Sequence, residues 1–414
     1  MGARATFLRI SNWPWDIFLW IGALCSVAGM AIFFPVGWDL VVIQQAMKDL
    51  RHGLDPYAAE LARISTINTA GHAYNFYVYP PITLKLLQLV NAVPAAPGYA
   101  LYWLVYAAGF ACQLWAGVQL AQPGERRILK YFLPLVAFFP AFMPNEVILC
   151  GNVAIPIYGA ALAASIWGWK KDQWLWFYIV VLAASLFKPP FLVLLAIPLF
   201  AGRAQTLKSM TAAAAGLSLF AAQRLLWPTA FLEYLRAVQV ENVVGNSAGH
   251  LWSLGFSAAG VLAAHLQTVG KPYTVPAALF LLAYGGTLFL ALGFFGWHYR
   301  RGRITPYTWM AVLWLGTLLM NPHILQYDAL AATVPMFLLV LRGWNDATGR
   351  WIVGAGLVGA AAAFAANHDG LEISVAMWSL LVAGLLGLAR ELSLATMPAS
   401  APFGEPVKES LSSS

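Results

Sequence analysis

WDIFLWIGALCSVAGMAIFFPV, residues 15–36, followed at once by Gly37-Trp38-Asp39, decides how the rest of the chain is read. The run is about 22 residues long, enough to cross a bilayer in helical form and longer than a signal-peptide core. Arg4 and Arg9 precede it. An apolar segment behind a short basic leader predicts an uncleaved first span with its N-terminus in the cytoplasm. The first polar group beyond it is then the carboxylate of Asp39, delivered to the opposite face.

The remaining sequence repeats this alternation. The chain is 60% hydrophobic and 10% charged, against about 45–50% and about 25% in soluble domains, and its mean hydropathy is +0.69. An ordinary soluble domain is excluded. Eighteen Trp, several at the ends of apolar runs, suit membrane-interface belts. The net charge of +7 comes from basic residues scattered through the breaks between apolar runs, which is a topology signal and not a nucleic-acid stripe. Cys25, Cys112 and Cys150 are far apart, without metal-ligand or disulfide-framework spacing.

Laid out from a cytoplasmic Met1, the pattern predicts about 10–12 membrane-crossing helices in one domain, residues 1–396. Residues 397–414 form a Ser- and Pro-rich disordered cytoplasmic tail. The basic breaks at Arg126-Arg127, Lys170-Lys171, Arg203, Arg300-Arg301-Gly302-Arg303, Arg342 and Arg390 fall inside. Sixteen of the 24 Lys and Arg lie inside in this arrangement, although the outer loops, about 37–98 and 223–274, are the longer ones. In the first loop, Asp39 to His52 reads as an amphipathic helix ended by Gly53. Ile82 to Val93 is too short to span and reads as a re-entrant or interfacial helix. Residues 174–187 and 191–200 form a short helical hairpin with Lys188-Pro189-Pro190 at its apex.

The polar inventory of the outer face supplies the candidate chemistry. Asp39 sits at the bilayer surface among apolar groups, where burial raises a carboxyl toward the working range of a general base; the plainer reading is a helix N-cap. His323 and Asp328 lie in NPHILQYD, residues 321–328, at an outer turn, and ionisable groups at such a boundary default to function. The plainer reading of His323 is a bond to a loop carbonyl. Lys188 suits an anionic group such as phosphate, or else snorkels to lipid headgroups. Asn152, Asn246 and His250 share that face. Gly354-x-Gly356-x-x-Gly359 matches a dinucleotide fingerprint but lies in an Ala-rich apolar helix with no preceding strand, so it reads as small-residue helix packing. No HExxH, P-loop or Asp-x-Asp pair is present.

Gly53-Leu54-Asp55-Pro56-Tyr57 and Tyr77-Val78-Tyr79-Pro80-Pro81, following the post-span Asp39, give the chain a further reading. Together with Gly151-Asn152, Lys188-Pro189, Asn246-Ser247 and Asn321-Pro322-His323, they resemble glycosyltransferase family 87. These are polyprenyl-phosphate-mannose-dependent α-1,2-mannosyltransferases of the GT-C fold. The resemblance covers about residues 15–341 in order and spacing. It implies a sugar, mannose first, carried on a polyprenyl phosphate, and a glycolipid or lipid-linked glycan as acceptor in a bacterial inner membrane. It also implies an extracytoplasmic site with Asp39 as the base of an inverting transfer and no metal or other cofactor. His323, Lys188, His250 and Tyr79 are the expected donor-side residues; Tyr57, Asn152, Asn246 and Gln326 are expected to position the acceptor or the loops. The competing readings are a lipid or glycolipid transporter, and a GT-C transferase using another polyprenyl-phosphate sugar. Transporters are often built from two similar halves, and no internal repeat is visible here.

Overall fold

The computed structural model describes residues 15–33, 36–37, 39–59, 77–90, 95–138, 145–247, 257–322, 324–365 and 371–396. Among these it is all helical, with no strand. The helices that build the bundle are α1 (Trp15–Phe33), α2 (Leu40–Arg51), α3 (Pro81–Val90), α4 (Ala95–Gln119), α5 (Pro123–Phe138) and α6 (Ala154–Lys171). They continue as α7 (Leu175–Phe187), α8 (Ala196–Ala201), α9 (Thr206–Leu226), α10 (Pro228–Ser247) and α11 (Ala258–Thr268). The last group is α12 (Thr274–Arg300), α13 (Pro306–Leu319), α14 (Gln326–Ala329), α15 (Thr333–Gly343), α16 (Ala347–Ala365) and α17 (Leu371–Thr396). Of the described helices, α4, α12, α16 and α17 are long and apolar enough to cross a membrane. This architecture is compatible with an all-α membrane protein.

The core is organised around α13. Its sequence, PYTWMAVLWLGTLL, is apolar on every face, which is the signature of a helix with no solvent side. Thr308 through Leu319 are all buried, Trp309 and Trp314 completely. Helices α15 and α17 pack on α13, and α12 covers another side. Pro306 at the first turn suits the helix start, where its missing N–H has no partner to lose. The Thr305 N–H and hydroxyl both donate to the Glu391 carboxylate, tying that start to α17.

The most extensive helix pair is α4 against α6, and glycine makes it possible. A Cβ at Gly109 would land on the Pro156 backbone, and one at Gly159 would land on the Gly109 carbonyl. Between α16 and α17, Gly356 faces the Ser379 side chain and Gly359 faces Val375, whereas Gly354 faces open space. The apparent dinucleotide fingerprint is therefore a helix-packing stripe, as its composition suggests.

The helix ends that carry basic residues are joined to one another. Arg342 grips Glu125 with two nitrogens, at 2.7 and 2.8 Å, and donates to the Tyr307 and Leu120 carbonyls. Lys170 bonds Gln119, Arg300 bonds the Leu199 carbonyl, and Arg390 pairs with Asp346. These ties gather at the C-terminal end of α6; Asn152, and with it Asp39, lies at its N-terminal end.

Three elements differ from the sequence expectation. The loop placed at 223–274 is largely helical, because α10 and α11 occupy most of it. The second arm of the hairpin at Lys188 begins as a 3₁₀ turn, Pro189–Leu195, with the paired prolines at its start. The short helix at 82–93 runs from Pro81 to Val90 and packs against α2, α7 and α10. The tail, 397–414, lies outside the described residues. Gly109→Ala should lower stability by about 1–3 kcal/mol through overpacking. Gly354→Ala, with nothing to meet, should leave it equal or slightly raised. Thermal unfolding of the detergent-solubilised variants measures both, and equal behaviour would refute the packing assignment.

Candidate functional site

Two glycine turns bring Asp39 to its place. Gly37 and Gly151 both adopt positive φ, +74° in each, a conformation open to residues without a Cβ. They lie face to face: a Cβ on Gly151 would sit 3.1 Å from Gly37 Cα and 3.2 Å from Leu40 Cβ. The turns are laced by the Gly37 N–H to the Leu149 carbonyl at 2.7 Å and the Asp39 N–H to the Cys150 carbonyl at 2.9 Å. The Tyr102 hydroxyl donates to the Gly151 carbonyl and the Tyr106 hydroxyl to the Ile148 carbonyl, so α4 braces the same joint.

Within that joint Asp39 stands at the N-cap position of α2 but does not cap it. Its backbone is already helical (φ −76°, ψ −28°), and its side chain makes no capping bond. Instead, Asn152 Nδ2 donates to Asp39 Oδ2 at 2.6 Å. The Asn152 amide is fixed in this sense because its Oδ1 accepts the Ala154 N–H at 2.8 Å, at the start of α6. Its own N–H donates to Cys150 Sγ at 3.3 Å. Burial pushes the Asp39 carboxyl up from its ordinary range; the Asn152 bond, and after it the Lys188 charge, pull it back.

Lys188 leaves α7 in extended conformation (φ −139°, ψ 101°) just before the prolines. Its Nζ donates to the Tyr327 hydroxyl at 3.1 Å and lies 4.4 Å from that ring's centroid. The ammonium is half-buried and directed into the bundle end. Beside it, Asp328 accepts the Leu325 N–H at 2.8 Å and a bond from the Tyr158 hydroxyl, while Asn321 reaches the same hydroxyl at 3.5 Å. Lys188 and Asp39 both act electrostatically on Asp328, so a carboxylate–ammonium–carboxylate constellation occupies this end.

The first-loop tyrosines form the wall. Tyr57 is fully buried; its hydroxyl donates to the Tyr79 carbonyl, and its N–H to Asp55 Oδ1. Tyr77 lies tilted between Tyr57 and Tyr79, with ring centroids 5.6 and 5.4 Å away, and Tyr234 of α10 closes on Tyr57. Tyr57 is thus a loop anchor. Tyr79 is buried in the same cluster and within electrostatic reach of Asp39.

Of the residues singled out from sequence, the structure brings together Asp39, Asn152, Lys188 and Tyr79, with Tyr57 behind them. His323 and His250 lie outside the described residues. Asn246 and Gln326 are helical, and their side chains also fall outside that set. Tyr327 and Tyr158 were missed. Tyr327 lies inside the quoted 321–328 stretch, but nothing local marks it as the partner of a lysine 139 positions away.

Comparison with protein-family models, with curated proteins and with solved structures returned no match to this chain. The site therefore rests on its own geometry. Removing the Asn152 amide takes a hydrogen bond from the ionised form of Asp39, so Asn152→Ala should move its titration to higher pH. Difference infrared spectroscopy of the protonated-carboxyl band, with Asp39→Asn as the assignment control, reads this. An unmoved or lowered titration would show that the bond does not hold the carboxylate.

Proposed function

We propose that this chain is an inverting membrane glycosyltransferase. It transfers a sugar, mannose by its family resemblance, from a polyprenyl-phosphate donor to a hydroxyl of a glycolipid or lipid-linked glycan. The fold of this reading is GT-C, in a multi-pass bacterial inner-membrane protein with a cytoplasmic N-terminus. The observation that carries it is a carboxylate oriented by Asn152, with an ammonium in electrostatic range, at the bundle end opposite the basic helix termini. That separation agrees with basic residues staying in the cytoplasm and chemistry occurring outside.

The reaction follows from these groups. Asp39, ionised, accepts the proton of the acceptor hydroxyl as its oxygen attacks the anomeric carbon. The new C–O bond forms as the bond from C1 to the phosphate oxygen breaks on the opposite face, so configuration inverts and no sugar–enzyme bond is needed. The departing polyprenyl phosphate keeps the bonding electrons, and Lys188 offsets its charge. Asn152 aims the base, Tyr327 holds the ammonium, and Tyr57 and Tyr79 fix the loop. His323 and His250 complete the donor side in this reading.

Asp39→Asn should reduce transfer by about 10²–10⁴-fold, the usual contribution of a positioned base, with yield and thermal stability retained. The assay uses purified protein, a labelled polyprenyl-phosphate sugar and a membrane lipid extract. Since the base must be ionised, the acid limb of the rate profile should titrate above 3.8, the ordinary aspartate value, with activity rising through it. Lys188→Ala should raise KM for donor more than for acceptor. Undiminished activity of Asp39→Asn, or lipid movement without a covalent product, would contradict the assignment and favour a transporter.

A further inference from the structure

A depression lies beside the tyrosine wall. It is a cleft of about 290 Å³ where the far end of α2, the turn at Asp55, α3 and the start of α10 meet. That is just under the range for ligand pockets, about 300–1,000 Å³, and suits a single ring-sized unit. Its polar groups are Asp55, Lys85 and Gln88, all exposed; Trp227 contributes a half-buried indole, and Leu54 and Pro81 give apolar wall. None of these residues serves the chemistry at Asp39.

The lining selects among ligand classes. One ammonium opposed by a carboxylate does not make an anion site. Among the described residues no group of three His, Cys, Asp or Glu could hold a metal. An acyl chain would make no use of Asp55, Lys85 or Gln88, which stand exposed at the cleft. A neutral ligand rich in hydroxyls meets the description. Its apolar C–H face rests on an indole, and its hydroxyls pair with a carboxylate, an amide and an ammonium. Asp55 is held ready for this, since Oδ1 is engaged by the Tyr57 N–H at 2.9 Å. Glu233, one turn beyond Ala230 on α10, lies against Asp55 and is pushed up to about 7, by burial first and then by Asp55.

Position adds the second half of the argument. Helix α2 begins directly after Asp39, and Leu50 near its other end forms part of the cleft. Eleven residues of helix separate the two by about 17 Å, a span of several linked sugar rings. Both lie on the first-loop assembly, joined through Pro56, Tyr57 and Tyr79.

We infer that this cleft is a distal saccharide subsite that binds a sugar unit of an oligosaccharide acceptor, several residues removed from the hydroxyl presented to Asp39. The inference rests on the transferase reading for its role but not for its binding chemistry. It makes the acceptor a glycan-bearing molecule and not a bare lipid.

Photo-crosslinking tests it without turnover. Full-length protein in lipid nanodiscs is irradiated with diazirine-tagged linear mannotetraose or tagged methyl mannoside, and adducts are mapped by mass spectrometry. The tetraose should label peptides containing residues 50–56 and 84–88. Labelling should fall at least fivefold in Trp227→Ala and in Gln88→Ala, whose exposed position spares the fold, and persist in Trp227→Phe. It should persist equally in Asp39→Asn. Absence of adducts there, or labelling indifferent to both Trp227→Ala and Gln88→Ala, would overturn the subsite. Cleft labelling with no sugar transfer by wild-type protein would instead sink the transferase reading alone.

Discussion

The hydrogen bond from Asn152 to Asp39 is the interaction on which the site depends, and a steric condition lies beneath it. Two turns, one after α1 and one before α6, approach until glycine backbone meets glycine backbone. Only at that distance do the Gly37 and Asp39 N–H groups reach the Leu149 and Cys150 carbonyls. A Cβ at Gly151 would press on Gly37 Cα and one at Gly37 on the Trp103 ring of α4, and positive φ at both adds a conformational reason for glycine. The carboxylate is then held without using its own backbone as a cap. Its second constraint is that Asn152 has no free choice of orientation: its carbonyl oxygen is occupied by the α6 terminus, leaving the NH₂ for Asp39.

Burial and charge act in opposite directions on that carboxylate. Desolvation is the larger influence and raises its pKa, as a base working near neutrality requires. The amide bond and the Lys188 ammonium limit the rise. The same ammonium is held by the Tyr327 hydroxyl and ring. Tyr327 is delivered by the short α14 turn that follows α13, the helix buried on every face. The rigid centre of the bundle and the chemistry at its end are in this way one continuous structure.

Much of this was legible one segment at a time. A helix within the 15–36 run, observed over Trp15–Phe33, and the packing character of Gly356 follow from composition and period. So does the α2 helix, stopped by Gly53 at φ +72°. Asp39 and Gly151-Asn152 each stood out in the sequence, but their contact did not. It joins positions 113 apart, and neither segment carries a periodicity that names its partner. The helical content of the second loop was not read from the sequence because α10 mixes charged and apolar residues, although it is a helix closing on the first-loop tyrosines through Phe231, Tyr234 and Ala237. Tyr57 and Tyr79 were visible as motif residues; that they face each other, and so anchor the loop, required the fold.

The most direct measurement of the central claim is a double-mutant cycle at positions 39 and 152. Unfolding free energies would be compared for Asp39→Ala, Asn152→Ala and the double variant. A hydrogen bond to a charged group held in this joint predicts a coupling of about 1.5–3 kcal/mol. Additivity within about 0.3–0.5 kcal/mol, as found for independent residues, would mean that the two side chains do not interact in the folded protein.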